Sequence, residues 1–269
     1  MPRPMVEIPA TLVRDLREQT GAGMMDCKRA LVETEGDLEQ AKTLLRERGV
    51  SLALKQAGRG TTEGRVLERL SPGQGTLVAI GCETEPVSGN EEFLGFAQLV
   101  LQTVDRDGPD GVSALEDERV EVAARLRENI AVRGVARFEA GDGETVSAYV
   151  HPPARKLGVL VKVRGGKAED ARRLAMHIAS AAPRWGTREQ VPPDHVDAEL
   201  AIYEKLPDVV SKPEAVRPKI MEGMLSKRFF AQSVLADQTW IYDTSLTVTK
   251  ALSEAGMEVV DFVRLSVSE

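Results

Sequence analysis

The segment Thr20-Gly21-Ala22-Gly23-Met24-Met25-Asp26-Cys27-Lys28-Arg29-Ala30-Leu31 joins two helical patterns through a two-glycine turn. Upstream, Leu12, Val13 and Leu16 form an apolar stripe between Pro9, which suits a first helical turn, and Gly21, which suits a stop. Downstream, Met24, Cys27 and Leu31 fall at i, i+3 and i+7 on one face, and Gly36 closes the pattern after Thr34. A third pattern opens with Asp37 as a cap and Gln40 three residues on. It carries Leu38, Ala41, Leu44 and Leu45 inward and stops at Gly49. Three short helices on tight turns predict a miniature bundle, marginal alone because its core is small. Adjacent helical residues sit about 100° apart, so Met24 and Met25 cannot both face one core line. Either one is a soft surface contact for a partner, or both pack into a core too small to hide them fully.

Residues 55 to 65 are polar and Gly-rich and read as a linker that can begin helical. A hairpin follows: a strand over Arg65 to Leu70, a turn through Pro72-Gly73 longer than two residues, and a strand over Gly75 to Cys82. Asn90 caps a helix to about Val104 with Phe93, Phe96, Ala97, Val100, Leu101 and Val104 as its core stripe. Ser113 and Glu116 predict another capping box, with Leu115, Val122, Ala123, Leu126 and Ile130 in the helix behind it. Strands are expected at Val132 to Phe138, Thr145 to Val150 and Leu157 to Val163, then a helix from Ala168 to Ala181. The order strand, loop, helix in Gly75 to Val104 returns in Leu157 to Ala181, which reads as an internal duplication. Asp194 to Leu206 and Ser211 to Phe229 predict a helical hairpin, in which Pro218 either delays or bends the second arm. A short helix over Val248 to Glu254 precedes a last strand with Val259, Val263, Leu265 and Val267 on one face.

With 269 residues and a hydrophobic fraction of 42%, the chain can bury real cores, mainly aliphatic because aromatics are 4%. A net charge of −7 argues against a broad nucleic-acid footprint. No apolar run is long enough to span a bilayer, and residues 1–5 lack the apolar stretch of a signal peptide, so the expectation is cytoplasmic with no membrane contact. Cys27 and Cys82 read as reduced, buried thiols, and His151, His177 and His195 form no metal-ligand spacing. There is no Gly-rich phosphate loop with a Lys, no Gly-x-Ser-x-Gly and no paired His-Glu motif. Cys27 and His177 each sit in an amphipathic helix where core packing suffices as explanation, so no catalytic residue, metal or cofactor is expected.

The segment Leu16 to Leu31 resembles the amino-terminal motif of bacterial elongation factor Ts. The likeness continues through Gly81-Cys82-Glu83-Thr84, Asn90-Glu91-Glu92-Phe93, Gly158-Val159-Leu160-Val161 and Met176-His177-Ile178-Ala179. It goes on through Lys212-Pro213-Glu214, Lys219-Ile220-Met221-Glu222-Gly223 and Asp261-Phe262-Val263-Arg264. Several motifs in the family's order, over almost the whole chain, are not chance. The resemblance implies an α+β fold: an amino-terminal three-helix module like ubiquitin-associated domains, then two related α/β subdomains with a helical hairpin. On this chain that gives a docking module over 1–54, a linker over 55–64, a first core subdomain over 65–138 and a second over 139–269, with the hairpin at about 194–229. It implies a non-enzymatic translation factor that binds elongation factor Tu and speeds exchange of GDP for GTP. The effect on nucleotide and Mg²⁺ is indirect, through the partner, with no direct nucleic-acid contact. Arg17, Met24, Met25 and Lys28 match the family's docking surface.

The family also presses a Thr-Asp-Phe-Val motif against the partner near the Mg²⁺ side, its Phe acting as a wedge linked to displacement of the ion. Here the motif reads Thr84-Glu85-Pro86-Val87. Glu keeps the charge on a longer arm. Pro lacks the flat ring, lacks a backbone donor and biases Glu85 away from helix. Losing a desolvated aromatic wedge removes several kcal/mol of differential binding. The resemblance therefore leaves two readings: an exchange factor, or a Tu-binding paralogue with weak or altered exchange.

Overall fold

A computed structural model describes residues 8–268. Residues 1–5, read above for a signal peptide, lie outside the described residues, as do the other positions before Ile8 and the last residue. The fold is α+β. Helices α1 (Ala10–Thr20), α2 (Met24–Glu33) and α3 (Leu38–Gln56) come first. Then come β1 (Glu63–Ser71), β2 (Gln74–Cys82), α4 (Glu85–Ser88), α5 (Glu91–Asp107), α6 (Glu116–Leu126) and β3 (Ala131–Glu139). The second half runs β4 (Glu144–Val150), β5 (Leu157–Gly165), α7 (Ala168–Ala181), α8 (Pro193–Tyr203), α9 (Pro207–Val210), α10 (Arg217–Met224), α11 (Ala231–Ser233), α12 (Val248–Glu254) and β6 (Met257–Ser266).

Two three-stranded antiparallel sheets, ordered β1-β2-β3 and β4-β5-β6, pack face to face. Val66, Leu77, Ala79, Ala148, Val150 and Leu160 fill the space between them. Glycines let the backbones approach: a Cβ on Gly158 would stand 2.6 Å from Val66 Cγ1, and one on Gly75 would stand 2.5 Å from Val146 Cγ1. Helix α5 covers the outer face of the first sheet, and all six residues of its expected stripe are buried. Its cap is as expected, with Asn90 Oδ1 accepting from Glu92 N at 2.8 Å. Helices α7 and α12 cover the outer face of the second sheet around Val159, Val161, Leu174 and Ile178. Three helices α1–α3 enclose Val13, Leu16, Cys27, Ala30, Leu31 and Ala41.

Several local expectations are corrected. Helix α3 does not stop at Gly49 but runs on to Gln56, into the segment read as linker. Gly49 is a close-approach residue instead: a Cβ there would lie 3.0 Å from Ala124 Cβ on α6. The hairpin turn is only two residues long, since Ser71 pairs with Gln74 and Gly73 takes φ +76°. The Ser113–Glu116 capping box is not made: a 3-10 turn over Pro109–Leu115 precedes α6, and Ser113 Oγ donates to Asp110 O. Ile130 lies beyond the helix, which ends at Leu126 with Arg127 in the left-handed region at φ +58°. In the helical hairpin Pro218 delays rather than bends the second arm, and α10 starts at Arg217 with the proline in its first turn. Six residues of π-helix, Leu225–Phe230, follow it.

The last strand carries the most instructive correction. Val163 pairs with Val259 but Lys162 pairs with Asp261, so Val260 is an inserted bulge residue. Alternation flips there. Val259 packs with Phe262 on the helix side, while Val263, Leu265 and Val267 face the other sheet. Replacing Gly158 with Ala should lower unfolding stability by roughly 1–3 kcal/mol, because the methyl must displace Val66 and Leu77 in a filled core. Urea denaturation checks this; an unchanged midpoint would show that the sheets can separate at no cost.

Candidate partner-binding surface

Gly21 ends α1 in the left-handed region at φ +65°, donating from its N–H to Arg17 O at 2.8 Å. Gly23 then caps α2. This tight turn points Cys27, Ala30 and Leu31 into the module's core. Both methionines are left outside, Met24 at 45% exposure and Met25 at 61%. Met24 was expected on the inner face with Cys27 and Leu31; in the first turn of the helix it lies past the end of that core. The four docking candidates do not form one patch. Arg17 and Met24 line a cleft of about 840 Å³ between the module and α6, together with Arg46, Asp117, Arg125 and Arg127. Met25 and Lys28 stand on the open side of α2.

Val32 completes that open side. It is 48% exposed and falls at i+7 from Met25 and i+4 from Lys28, so the three lie along one stripe. The sequence reading missed it. The available signal was an apolar residue in register with Met25 rather than with Cys27.

Thr84, Glu85 and Pro86 are exposed, and Val87 packs partly onto the α5 core. Glu85 was expected to avoid helix, yet it opens the helical turn α4, with Pro86 in the first turn where its missing N–H costs nothing. Ser88 N donates to Thr84 O at 3.2 Å, and Ser88 Oγ donates to Glu85 O at 2.7 Å, so the turn outweighs the local preference. The segment before it is pinned from outside. Glu128 Oε2 accepts from Glu83 N and Thr84 N, each at 3.0 Å, and Glu128 Oε1 accepts from the Thr84 hydroxyl. Cys82 is buried just beneath, and burial, aided by the Glu128 charge, pushes its thiol up to about 12.

The sequence profile described as Elongation factor TS matches residues 83–269, more than half of the chain. Elongation factor Ts of Idiomarina loihiensis is 38% identical over 97% of this chain and 91% of its own length. That of Clavibacter michiganensis subsp. michiganensis is 39% identical over 98% of this chain and 99% of its own length. The chain belongs to the elongation factor Ts family. The profile match begins at the Glu83–Val87 segment, while the likeness of α1–α3 rests on the full-length relatives. As a member of a translation elongation factor family, the chain works in protein biosynthesis.

Among the described residues no group of three or more His, Cys, Asp or Glu gathers as a metal site, and no helix is long and apolar enough to cross a membrane. In this elongation factor Ts fold Cys27 and His177 occupy different cores. Burial raises the Cys27 thiol, whose Sγ donates weakly to Ala22 O at 3.7 Å. His177 is wholly buried and stacks on Trp240 with ring centroids 5.0 Å apart. Gln238 Nε2 donates to Ala181 O and Gln232 O, so its Oε1 is the acceptor for His177 Nε2–H at 3.0 Å. His177 Nδ1 then accepts from Ile241 N at 3.4 Å, which fixes the neutral tautomer.

Burial holds the His177 pKa below its ordinary value, against the smaller opposing pull of Gln238. The unfolded chain therefore takes up the proton first as pH falls. The stabilisation is complete above the unfolded value of about 6.5 and drains away as pH drops toward the folded one. Urea midpoints should fall between about pH 7.5 and about pH 5.5, and fall less in His177→Gln. Equal slopes in both proteins would rule out His177 as the titrating group.

Proposed function

We propose that the chain docks on elongation factor Tu and speeds exchange of GDP for GTP. The observation that carries this reading is the exposed stripe Met25, Lys28 and Val32, an apolar strip with a central charge that lies open among the described residues. Residues 1–54 act as the docking module, resembling a ubiquitin-associated domain, and 55–64 connect it to the core. Residues 65–138 and 139–269 are the family's two related core subdomains, the second including the hairpin. Arg17 and Met24 grip from the cleft side of the module, and Met25 and Lys28 from its open side. The factor works in the cytoplasm beside its partner and contacts no nucleic acid.

Exchange follows from linkage. A factor that binds the nucleotide-free partner more tightly than the GDP-bound one weakens nucleotide by the same factor. Phosphate contacts and Mg²⁺ hold GDP on such a GTPase, so distortion of the loops around them is enough. The chain's own contribution is position: the docking stripe brings the Thr84–Val87 turn against the partner. No acid, base or nucleophile is needed. Pro86 supports the second reading, a Tu-binding paralogue with weak or altered exchange, because its small ring presents less surface to drive between partner elements than a Phe.

Gel filtration with nucleotide-free elongation factor Tu and release of a fluorescent GDP test both readings. Absence of a complex sinks them together. Met25→Gln with Val32→Gln should leave stability within about 0.5 kcal/mol, since neither side chain is packed, yet weaken docking roughly tenfold. Pro86→Phe should raise the rate of GDP release. If the wild type already releases GDP at full speed and Phe slows it, the wedge argument is wrong for this chain.

A further inference from the structure

The turn between α6 and β3 is built as a clamp. Strand β2 ends at Cys82, which leaves the Glu83 and Thr84 amides without strand partners. Both point to one oxygen of Glu128, and the Thr84 hydroxyl points to the other. Thr84 is the cap residue of α4 by its φ −127° and ψ 151°, yet it makes no cap bond, because its hydroxyl is committed to Glu128. The grip is returned: Glu83 Oε1 accepts from Asn129 N at 2.7 Å. Three donors on a single carboxylate are charge-assisted bonds of the stronger kind.

The neighbours of Glu128 reach the docking module. Arg127 Nη2 donates to Asp26 Oδ2 at 2.5 Å, and Asp26 is the residue after Met25 on α2. The Arg127 carbonyl accepts from Gln56 Nε2 at 2.7 Å, at the end of α3. Asn129 Nδ2 donates to Arg59 O at 2.7 Å. Arg127 takes the left-handed conformation, which turns the chain so that consecutive side chains diverge to these different partners. Three successive residues thus hold the docking helix on one side and the Thr84–Val87 segment on the other.

We propose that Glu128 is a positioning residue for exchange, holding the Glu85-Pro86 turn at a set place relative to the docking helix. The inference rests on the exchange reading above. Helix α4 has only four residues and no side-chain cap, and its entry is held by the Glu128 carboxylate together with Cys82 Sγ, which donates to Thr84 O at 3.3 Å. A wedge that is ordered before contact spends none of its binding free energy on becoming ordered. Glu128 itself touches no nucleotide and acts through the backbone of Glu83 and Thr84.

The test uses the full chain and nucleotide-free elongation factor Tu. Glu128→Gln keeps the size of the side chain but loses its charge and one acceptor. It should leave docking affinity unchanged, lower the maximal rate of fluorescent GDP release about tenfold, and speed hydrogen exchange at the 83–89 amides. Glu128→Asp should restore part of the rate. Thr84→Val removes one donor while the carboxylate stays in place, and should give a smaller drop even if the Gln variant folds poorly. A Gln variant as fast as wild type at saturation overturns the proposal. So does a loss that arises wholly from weaker half-saturation, which would mark a structural role. A wild-type chain that docks without speeding release overturns the exchange reading and this inference with it. Wild-type activity matched by Glu128→Gln overturns this inference alone.

Discussion

Two sheets meet face to face at glycines, and that contact sets where everything else stands. Large aliphatic side chains of one sheet seat over bare backbone of the other: Val66 and Leu77 over Gly158, Val146 and Leu160 over Gly75, Leu265 over Gly134. With so few aromatics, a close aliphatic contact is the available way to make the interior dense. The outer faces then take the helices. Helix α5 lies on the first sheet, α6 packs beside α5, and α3 lies against α6 through Gly49. The three-helix unit α1–α3 is therefore placed by a chain of contacts that begins between the sheets.

The two sheets are alike in more than strand order. In each, a hairpin leads from its second strand into a helix, and a third strand returns beside the second. Each ladder between second and third strands slips once, at Ala79/Ile80 in one and at Lys162/Val163 in the other. Both slips fall at the same point, counted from the start of the central strand. The strand-loop-helix order read from Gly75 to Val104 and from Leu157 to Ala181 reflects this common plan. The bulges themselves left no trace in the amino-acid pattern. An extra residue flips the alternation without requiring any particular side chain, so simple alternation puts Val259 on the same face as Val263 while the structure puts it on the opposite one.

What could be read from the sequence followed from how directly each residue type reports burial. The α5 stripe was complete because six apolar residues at helical spacing have one way to be buried together. Glycines were harder. Gly21 stops α1 as its sequence context predicts, whereas Gly49, with equal standing in the sequence, makes room for Ala124 far along the chain. In the candidate site helical geometry makes one surface methionine legible but not the exposure of both, and Val32 is within reach of the same argument. Glu128 was not. It bonds to backbone amides and a hydroxyl rather than to a charged side chain, so no pattern of residue types announces it.

On the exchange reading, docking and exchange are separable in this chain. Binding that is equal for the GDP-bound and nucleotide-free partner shifts no equilibrium, however tight it is. The Met25–Lys28–Val32 stripe lies on a helix remote in sequence from the Thr84–Val87 turn, and on that reading it is the stripe that supplies affinity. Only contacts that differ between the two partner states supply coupling. Pro86 is compatible with the geometry of α4, since a first helical turn has no use for its missing N–H. The turn is therefore intact in shape and clamped at its entry, and what it lacks is the bulk of a flat ring. Such a factor retains the placement of a wedge while presenting a smaller one. Its exchange rate is then set by how much partner distortion the backbone turn, Glu85 and the proline ring produce together.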